Sequence, residues 1–414
     1  MNKNDEFIAE NRHRRTEEVA LEIAGRNDLD NAYVLQQIEG WQRMAHKAPQ
    51  WAATEGIVYP PRLALEQCSG QRAAAYKAET VKRLLNPKER HLMADITAGM
   101  GVDFSYIAPL FEKAVYVERK AEIVETARHN MPLLGVNNAD FIEGNGLEVL
   151  QAMKEPPDLL FIDPARRDVH GGKTVCIEDC EPDIAAHIRL LLECSRLTMV
   201  KLSPMLDIVQ AVKTLHRKHE GCVKEVHVIA TGGECKELML VMGKEHGTEE
   251  PQIHCYEDGK TLVFKASEEN GTNCEFCDGT GKFLYEPGPA VMKAGAFKTV
   301  AQRFGLKKLH PNSHLYTSMH AVSDFPGRTF RITARFSFSK ADLKRLAEYL
   351  KRDSANGKGR TQAAAHLAVR NFPATVAELR KRLKIREGGN DYLFATTLAD
   401  GTKYIYACRK EENI

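Results

Sequence analysis

Between residues 91 and 243, short apolar runs alternate with stretches that favour helices, and this pattern constrains the fold more than any other feature. Strands that alternate with helices predict a parallel, doubly wound sheet. The expected strands are Leu92–Ile96, Ala114–Val117, Asp140–Ile142, Leu159–Ile162, Leu197–Leu202, Glu225–Ile229 and Leu238–Met242. Only residues 230–237 separate the last two, a length that suits a hairpin and not a crossover helix. We therefore expect the sheet to end in an antiparallel strand.

The composition changes along the chain and indicates four regions. The first is rich in helix formers and is expected to be a helical cap over the sheet, with Ser69 as the N-cap of a helix over Ser69–Leu85. The third is polar at first, with short strand-like pieces, and is expected to be a small mixed α/β region. The pattern of the fourth predicts a small α+β domain with a strand, two helices and two further strands. The expected boundaries give the regions 1–90, 91–243, 244–327 and 328–414.

Charge is distributed unevenly over the 414 residues. Residues 291–414 hold 24 Lys and Arg against 10 Asp and Glu, whereas the first 290 residues hold 34 against 46. This asymmetry indicates that the C-terminal third contacts a polyanion, with a solvated basic face as the alternative. No apolar run reaches the roughly 18 residues of a membrane-spanning helix. Because the ten cysteines are scattered and the first residues are polar, we expect a reduced, cytoplasmic protein without membrane contact.

Glycines follow the first predicted strand, in the segment Asp95-Ile96-Thr97-Ala98-Gly99-Met100-Gly101. Glycine between a strand and a helix lets the backbone approach a ligand, and open α/β sheets bind ligands at the carboxyl ends of their strands. The spacing is not G-x-G-x-x-G, and the Gly-Lys-Ser/Thr of a phosphate loop is missing. A nicotinamide cofactor or a nucleoside triphosphate is therefore not favoured.

Polar residues also follow the next three strands. Glu118 ends the second strand, 23 residues beyond Asp95, where a carboxylate can accept both hydroxyls of a ribose. Asn145 follows the third strand and offers an amide to an adenine edge. Asp163-Pro164-Ala165-Arg166-Arg167 ends the fourth and directs a carboxylate and free carbonyls into the cleft. Signals at four consecutive strand ends are far more specific than any one of them.

Residues 91–243 resemble the class I S-adenosylmethionine-dependent methyltransferases on these motifs. The resemblance implies a Rossmann-like sheet of seven strands, the last one antiparallel, and S-adenosyl-L-methionine as the cofactor. It assigns Asp95–Gly101 to the methionine end, Glu118 to the ribose and Asn145 to the adenine, with Thr97 where many members have glycine. The cofactor-binding residues that it implies are Asp95, Thr97, Ala98, Gly99, Gly101, Glu118, Arg119 and Asn145.

The segments Gly99–Gly101 and Asp163–Arg166 are similar to RNA methyltransferases, especially the uracil-5 type, which place a nucleophilic cysteine at the end of the next strand. Leu202 occupies that position here, and Cys176 and Cys180 lie outside the matching slot. Attack on a pyrimidine carbon needs a thiolate, so we expect direct transfer to nitrogen. Amino methyltransferases use Asp/Asn-Pro-Pro-aromatic at this point, and Arg166 replaces the aromatic residue. The catalytic residues implied are Asp163, Pro164, Arg166 and Lys201.

Nearly the whole chain also resembles a bacterial family that joins such a methyltransferase to a small ferredoxin-like piece and a C-terminal THUMP-like domain. THUMP domains bind RNA, so the resemblance implies RNA, either tRNA or rRNA, as the partner, and no obligate protein partner is inferred. The segments that carry this resemblance are Asp163–Arg167, Ile177–Pro182, Gly233–Glu237, Glu286–Phe297 and Arg370–Pro373. The expected RNA contacts are the basic residues Arg380, Lys381, Arg382 and Lys384.

Two other functions stay open on the sequence: an inactive methyltransferase fold that only holds RNA, and a protein methyltransferase.

A zinc site is conceivable at Cys274-Glu275-Phe276-Cys277, because this segment is a CxxC motif. A zinc site needs four ligands, which His254 and Cys255 would have to complete. We favour reduced thiols in a surface turn and predict no metal site.

Overall fold

The computed structural model describes residues 2–166, 176–244, 250–354 and 363–411. Arg166 and residues 352–354 are described by their backbone alone. The chain forms two compact units. The first comprises Met1–Val226 with Glu237–Pro251, and the second comprises His227–Lys236 with Gln252–Ile414.

The first unit begins with helices, as the composition predicts. They are α1 (Lys3–Asn11), α2 (Thr16–Ile23), α3 (Asn31–Lys47), α4 (Pro49–Ala53), α5 (Arg62–Gln67) and α6 (Gln71–Leu84). Asp30 caps α3 by accepting the amide of Tyr33, which supplies one of the partners that a helix start lacks. The prediction that Ser69 caps α6 is wrong, since the N-cap is Gly70. Ser69 is buried, and its hydroxyl bonds to charged side chains instead.

A parallel sheet follows, and each of its seven predicted strands is present. They are β1 (Leu92–Asp95), β2 (Lys113–Glu118), β3 (Ala139–Glu143), β4 (Leu159–Ile162), β7 (Leu197–Leu202), β8 (Val223–Thr231) and β9 (Glu234–Gly243), while β5 (Ala165–Arg166) and β6 (Cys180–Glu181) form a separate two-stranded ladder. These seven strands lie in the order β8-β9-β7-β4-β1-β2-β3, and the sheet continues beyond β8 with two strands that were not predicted to belong to it, β10 (Gln252–Glu257) and β11 (Lys260–Phe264), to give nine strands. The predicted antiparallel strand is confirmed as β9, which pairs with β7 and lies inside the sheet, next to β8.

Helices connect the parallel strands of the first unit. They are α7 (Val102–Ile107), α8 (Ala121–Leu133), α9 (Gly146–Ala152), α10 (Ile184–Glu193) and α11 (Ile208–Lys218). All four residues of β4 are buried, as expected for a central parallel strand covered on both faces. Within the described ranges, no helix is long and apolar enough to cross a membrane.

The second unit contains β10 (Gln252–Glu257) and β11 (Lys260–Phe264) as an antiparallel pair, followed by α12 (Ala266–Gly271). A sheet then forms in the order β13-β14-β12-β15-β18-β17-β16. Its strands are β12 (Phe283–Pro287), β13 (Lys307–Lys308), β14 (Tyr316–Ser318), β15 (Gly327–Ser337), β16 (His366–Arg370), β17 (Asp391–Thr397) and β18 (Lys403–Glu411). The helices described after α12 are α13 (Pro289–Ala294), α14 (Thr299–Arg303), α15 (Lys340–Ser354) and α16 (Val376–Leu383).

Strands from both sides of the predicted boundary at 327/328 share this sheet, because β12 pairs with β15. The boundaries of all four predicted regions therefore stay predictions. The predicted strand, helix, helix, strand, strand order of the last region is observed, with one addition. β16 was not predicted, and it pairs parallel with β17 across a long connection. The apolar residues Leu346, Leu379 and Leu393 are buried together on the helix-covered side.

Candidate active site

The loop after β1 is held by its own backbone and by its neighbours. Asp95 is buried, and its carboxylate accepts the amide of Thr97 at 3.0 Å. Gly99 and Gly101 have φ of +55° and +85°, which side chains other than that of glycine rarely adopt. A Cβ on Gly101 would lie 2.4 Å from Met131 Cε, so a larger residue there would also require the flexible Met131 side chain to shift. Ala98 donates its amide to the carbonyl of Val117 on β2 at 3.0 Å.

Glu118 closes over the same loop. Its carboxylate accepts the amide of Gly99 at 3.2 Å and the amides of Arg119 and Lys120 at 2.8 and 3.0 Å. Tyr116, buried on β2, donates its hydroxyl to the carbonyl of Gly99. Tyr116 was not predicted as part of the site, because its only signal in the sequence is that it is an aromatic residue two positions before Glu118. The glycine loop and the acid are therefore directly linked.

The loop after β3 approaches β1 closely. A Cβ on Gly146 would lie 2.0 Å from the carbonyl oxygen of Ile96, so only glycine fits there. Asn145 is the N-cap of α9, where its side-chain oxygen accepts the amide of Leu147 at 3.1 Å and its amide nitrogen donates to Glu148 at 3.2 Å. The side chain thus has a local structural task, and its contact with an adenine stays a prediction.

Asp163 follows β4 at the same edge. Its amide donates to Thr97 Oγ1 at 2.6 Å, which joins the first loop to the fourth. Its carboxylate oxygen Oδ2 accepts from Lys201 Nζ at 2.5 Å, and Lys201 lies near the end of β7. Pro164 is buried, and Leu202 beside Lys201 is buried as well. The structure therefore brings together three of the four predicted catalytic residues.

The fourth, Arg166, pairs through its backbone with Cys180 in the β5–β6 ladder, and its side chain lies outside the described residues, as does Arg167. Cys180 is buried, whereas Cys176 is exposed. Arg119, predicted to bind the cofactor, points to Glu181 of the same ladder, with 3.2 Å between Nη1 and Oε1. The ladder is thus tied to the end of β2.

Electrostatics single out this edge of the sheet. Desolvation raises the pKa of Asp163 above its usual range, and the Lys201 ammonium opposes that rise. Desolvation raises the pKa of Asp95 strongly, because the carboxyl is buried and faces Asp103 and Asp163. Burial acts to lower the pKa of Lys201, but the carboxylates around it outweigh burial and raise that pKa. Perturbed groups that cluster in a cleft are typical of functional sites.

A buried charged cluster behind Lys201 was not predicted. Lys77 on α6 is fully buried, and its ammonium lies 2.8 Å from Asp103 Oδ1 on α7 and also contacts Glu237 on β9. Ser69 Oγ accepts from Lys77 at 2.8 Å and lies 2.7 Å from Asp103 Oδ2 and 2.6 Å from Glu237 Oε1. Four residues scattered along the sequence thus meet. Glu237 ends the segment Gly233–Glu237 of the family resemblance, but no pattern in the sequence links it to the other three.

The predicted RNA contacts lie on and just after α16 of the second unit. Thr375 is the N-cap of this helix, and its hydroxyl accepts the amide of Glu378. The helix buries Leu379 and Leu383. Lys381, Arg382 and Lys384 are exposed. Arg380 is partly buried and pairs with Glu387, and the Arg382 guanidinium lies 5.6 Å from the ring centre of Phe338. Three of the four cationic side chains are therefore presented to solvent.

The CxxC segment belongs to the second unit too. Cys277 Sγ accepts the amide of Gly279 at 3.3 Å, as a turn residue does. In the ranges for which side chains are described, Cys274 and Cys277 belong to no group of three or more metal-ligating side chains.

Comparison with known proteins adds independent information. Family models match residues 283–326, described as a ferredoxin-like domain, and residues 327–410, described as THUMP domain-like. A Clostridium tetani protein named "uncharacterized RNA methyltransferase" is 26% identical over 153 residues, which are 33% of this chain and 34% of that one. A Caldanaerobacter subterraneus protein with a similar name is 32% identical over 104 residues, 25% of this chain and 23% of that one. The chain thus spans about a third or less of these relatives.

Two longer matches cover both units. A Mycobacterium tuberculosis protein named "uncharacterized S-adenosylmethionine-dependent methyltransferase" is 24% identical over 324 residues, 78% of this chain and 80% of that one. A crystal structure from Porphyromonas gingivalis W83, described as a "putative methyltransferase", has a TM-score of 0.81 and 36% identity, with 100% of each chain covered. This chain therefore belongs to the same family as the Porphyromonas gingivalis protein, a methyltransferase family with ferredoxin-like and THUMP-like C-terminal segments.

Proposed function

We propose that the protein is an S-adenosylmethionine-dependent RNA methyltransferase that transfers the methyl group directly to a base nitrogen. The observation that carries this proposal is the pairing of Asp163 with Lys201 at the strand edge where Leu202 replaces a cysteine nucleophile. The names of the relatives support the reaction class and the RNA substrate.

The residues at this edge fit the chemical groups of the cofactor. The Gly99 backbone has open space on the side where a Cβ would stand, with the nearest heavy atom, Thr97 O, at 3.9 Å. Glu118 is half-buried and offers carboxylate lone pairs, which suit two ribose hydroxyls. S-adenosylmethionine, when bound, supplies an activated methyl group on a sulfonium. Asp95–Gly101 would hold its methionine end, and Glu118 would hold its ribose.

The target amine would be held by Asp163 and by the carbonyl of Pro164. A carboxylate accepts hydrogen bonds only, so it orients an amine with its lone pair directed away from the protein acceptors. The Lys201 ammonium, with Nζ 2.5 Å from Asp163 Oδ2, favours the ionised form of Asp163. Desolvation acts in the opposite direction and favours the neutral form. Alignment of the nucleophile accounts for most of the rate gain in such a site. The amine proton passes to Asp163, which keeps 37% of its side chain exposed and can exchange it with water.

RNA would be gathered by the basic second unit. Exposed lysine and arginine side chains bind phosphates without base specificity, which positions a polyanion without selecting its sequence. The base has to leave its stack to enter the cleft, and this costs least in looped or single-stranded RNA. Arg166 would contact this base or a neighbouring phosphate, because a guanidinium can stack on a base or pair with phosphate.

Mass spectrometry of nucleosides from cellular RNA tests the proposal. A strain that lacks the gene should lose one N-methylated nucleoside from tRNA or rRNA, and the wild-type gene should restore it. The variant Asp163→Ala should fail to restore it, whereas an exposed-site control, Glu125→Ala on α8, should succeed. RNA with an unchanged set of methylated nucleosides in the deletion strain would contradict the proposal.

A further inference from the structure

The charged cluster of Ser69, Lys77, Asp103 and Glu237 is built from the N-terminal helices as well as from the sheet. The Lys77 ammonium donates hydrogen bonds to Ser69 Oγ and to Glu237 Oε2, and it forms an ion pair with Asp103 Oδ1 at 2.8 Å. Lys77 is 0% exposed and the side chains of Asp103 and Glu237 are 8% and 6% exposed. Such charges remain buried only when they are paired.

The cluster reaches the candidate active site through Lys201. Lys201 Nζ lies 2.5 Å from Asp163 Oδ2 and 4.0 Å from Asp103 Oδ2, and its side chain is 9% exposed. One ammonium therefore faces two acids, one in the site and one behind it. At distances of this order, the attraction of Lys201 to Asp103 competes with its attraction to Asp163.

We propose that Lys77 is a positioning residue for methyl transfer, which neutralises Asp103 and Glu237 and thereby leaves Lys201 on Asp163. The helical region before the sheet is then a working part of the active site through α6. This inference rests on the proposed role of Asp163, and it assigns Lys77 no contact with the substrate.

If Lys77 is removed, the geometry of the cluster predicts that Lys201 moves. Asp103 and Glu237 would lose the ammonium between them, and Lys201 is the other ammonium that acts on both carboxylates. Lys201 would move toward them, and Asp163 would lose part of its counter-charge. A carboxylate without its cation binds a proton more readily, so the pKa of Asp163 would rise. As the pH falls, the Asp163 carboxylate would then be protonated sooner, so activity that needs it would be lost at a higher pH than in the wild type.

The charged and titratable groups that act on Asp163 come from four elements around it. They are Asp95 on β1, Lys77 on α6, Asp103 on α7 and Lys201 on β7, with Glu237 on β9 acting on Lys201. Desolvation raises the pKa of Asp95 well above its usual range, whereas the carboxylates that Lys77 contacts directly are those of Asp103 and Glu237. Removing Lys77 therefore changes the balance around Lys201 chiefly through Asp103 and Glu237.

The test is a pH titration of Asp163 in the full-length protein labelled with ¹³C at aspartate carboxyls, with Asp163→Asn used to assign its signal. Lys77→Met should move the Asp163 midpoint to higher pH, whereas Lys82→Met, on the same helix but at an exposed pair with Glu79, should not. An Asp163 midpoint that is equal in the two variants overturns the inference. The readout needs no substrate, so it also decides the matter if the wild type transfers no methyl group.

Activity supplies the second arm, with total RNA from a strain that lacks the gene as the probe. Lys77→Met should lower kcat on the order of a hundredfold, as for a misplaced catalytic group, and move the acid limb of the kcat profile upward, with cofactor binding unchanged. If Lys77→Met does not fold, the double variant Lys77→Met with Glu237→Gln removes one charge of each sign and is titrated instead. A wild-type profile in a folded variant contradicts the inference, whereas an inactive wild type contradicts the proposed function alone.

Discussion

The two units use charged side chains in opposite ways. In the first, Lys77 and Lys201 are buried and bonded to carboxylates at the carboxyl edge of the sheet. In the second, α16 presents Lys381 and Arg382 to solvent, with only Arg380 partly buried against Glu387. A buried charge that loses its partner costs several kcal/mol, whereas an exposed pair contributes about 0–1 kcal/mol.

The difference indicates how each unit works. Paired charges inside the first unit fix single atoms in place, which chemistry requires. Exposed charges on the second act together and are screened by salt, which suits the holding of a polyanion. Single substitutions should therefore have large effects in the first unit and small, additive effects in the second.

The largest effect is expected at Asp163. Asp163→Ala removes the proposed acceptor of the amine hydrogens and the partner of Lys201. Loss of such a group typically lowers the rate by about 10²- to 10⁴-fold. Initial rates of tritiated-methyl transfer to RNA measure this, and calorimetry should show that cofactor binding survives. Equal rates in the variant and in wild type would remove Asp163 from the site.

Stability should separate buried from exposed lysines on one helix. Lys77→Met leaves two buried carboxylates without their ammonium and should lower the free energy of unfolding by about 3–5 kcal/mol. Lys82→Met, at a side chain that is 46% exposed, should change it by less than about 0.5 kcal/mol. Denaturant unfolding of both variants measures the contrast, and similar values for the two would contradict the description of the cluster.

An intermediate effect is expected at Glu118. Glu118→Ala removes a carboxylate that would accept the ribose hydroxyls, and hydrogen bonds to a charged group contribute roughly 1.5–3 kcal/mol. The affinity for S-adenosylmethionine should fall about tenfold to a hundredfold. Isothermal titration of the folded variant measures it, with Glu125→Ala on the next helix as the control. An unchanged dissociation constant would mean that Glu118 does not hold the cofactor.

The smallest single effects are expected on α16. Replacement of Lys381, Arg382 and Lys384 by alanine should flatten the dependence of log affinity on log salt by about 2, since each phosphate contact on a single strand contributes roughly 0.7. Arg380→Ala should change the slope less, because Glu387 already pairs with that guanidinium. Filter binding of total RNA at several salt concentrations measures the slopes, and salt-independent binding would favour a solvated basic face.

The sheet was predictable because each strand leaves a local signal. Seven apolar runs predicted the strands, and one short connection predicted that the last strand is antiparallel, although not that it pairs with β7. The strand-end motifs likewise predicted which residues meet at the edge, and Thr97 indeed bonds to Asp163 across two loops. The parallel pairing of β16 with β17 left no such signal, because the partners are joined by a long connection.

The buried cluster could not be predicted, since its members lie far apart in the sequence and each resembles an ordinary surface residue. Ser69 before a helix has the pattern of an N-cap, and Lys77 lies among helix formers. Only the packing of α6 against α7 and the position of Glu237 on β9 bring them together. Local patterns thus predict strands and caps, but they do not predict which distant charges are buried together.

Direct transfer of a methyl group to a base nitrogen at Asp163 is tested most directly by identifying the labelled nucleoside. The full-length protein is incubated with total RNA from a strain that lacks the gene and with methyl-tritiated S-adenosylmethionine, and the RNA is then digested and separated. The label should appear in one N-methylated nucleoside, and Asp163→Ala should abolish it. Label in 5-methyluridine, with a stable protein adduct on 5-fluorouridine-substituted RNA that is lost when Cys180 is replaced, would contradict direct transfer.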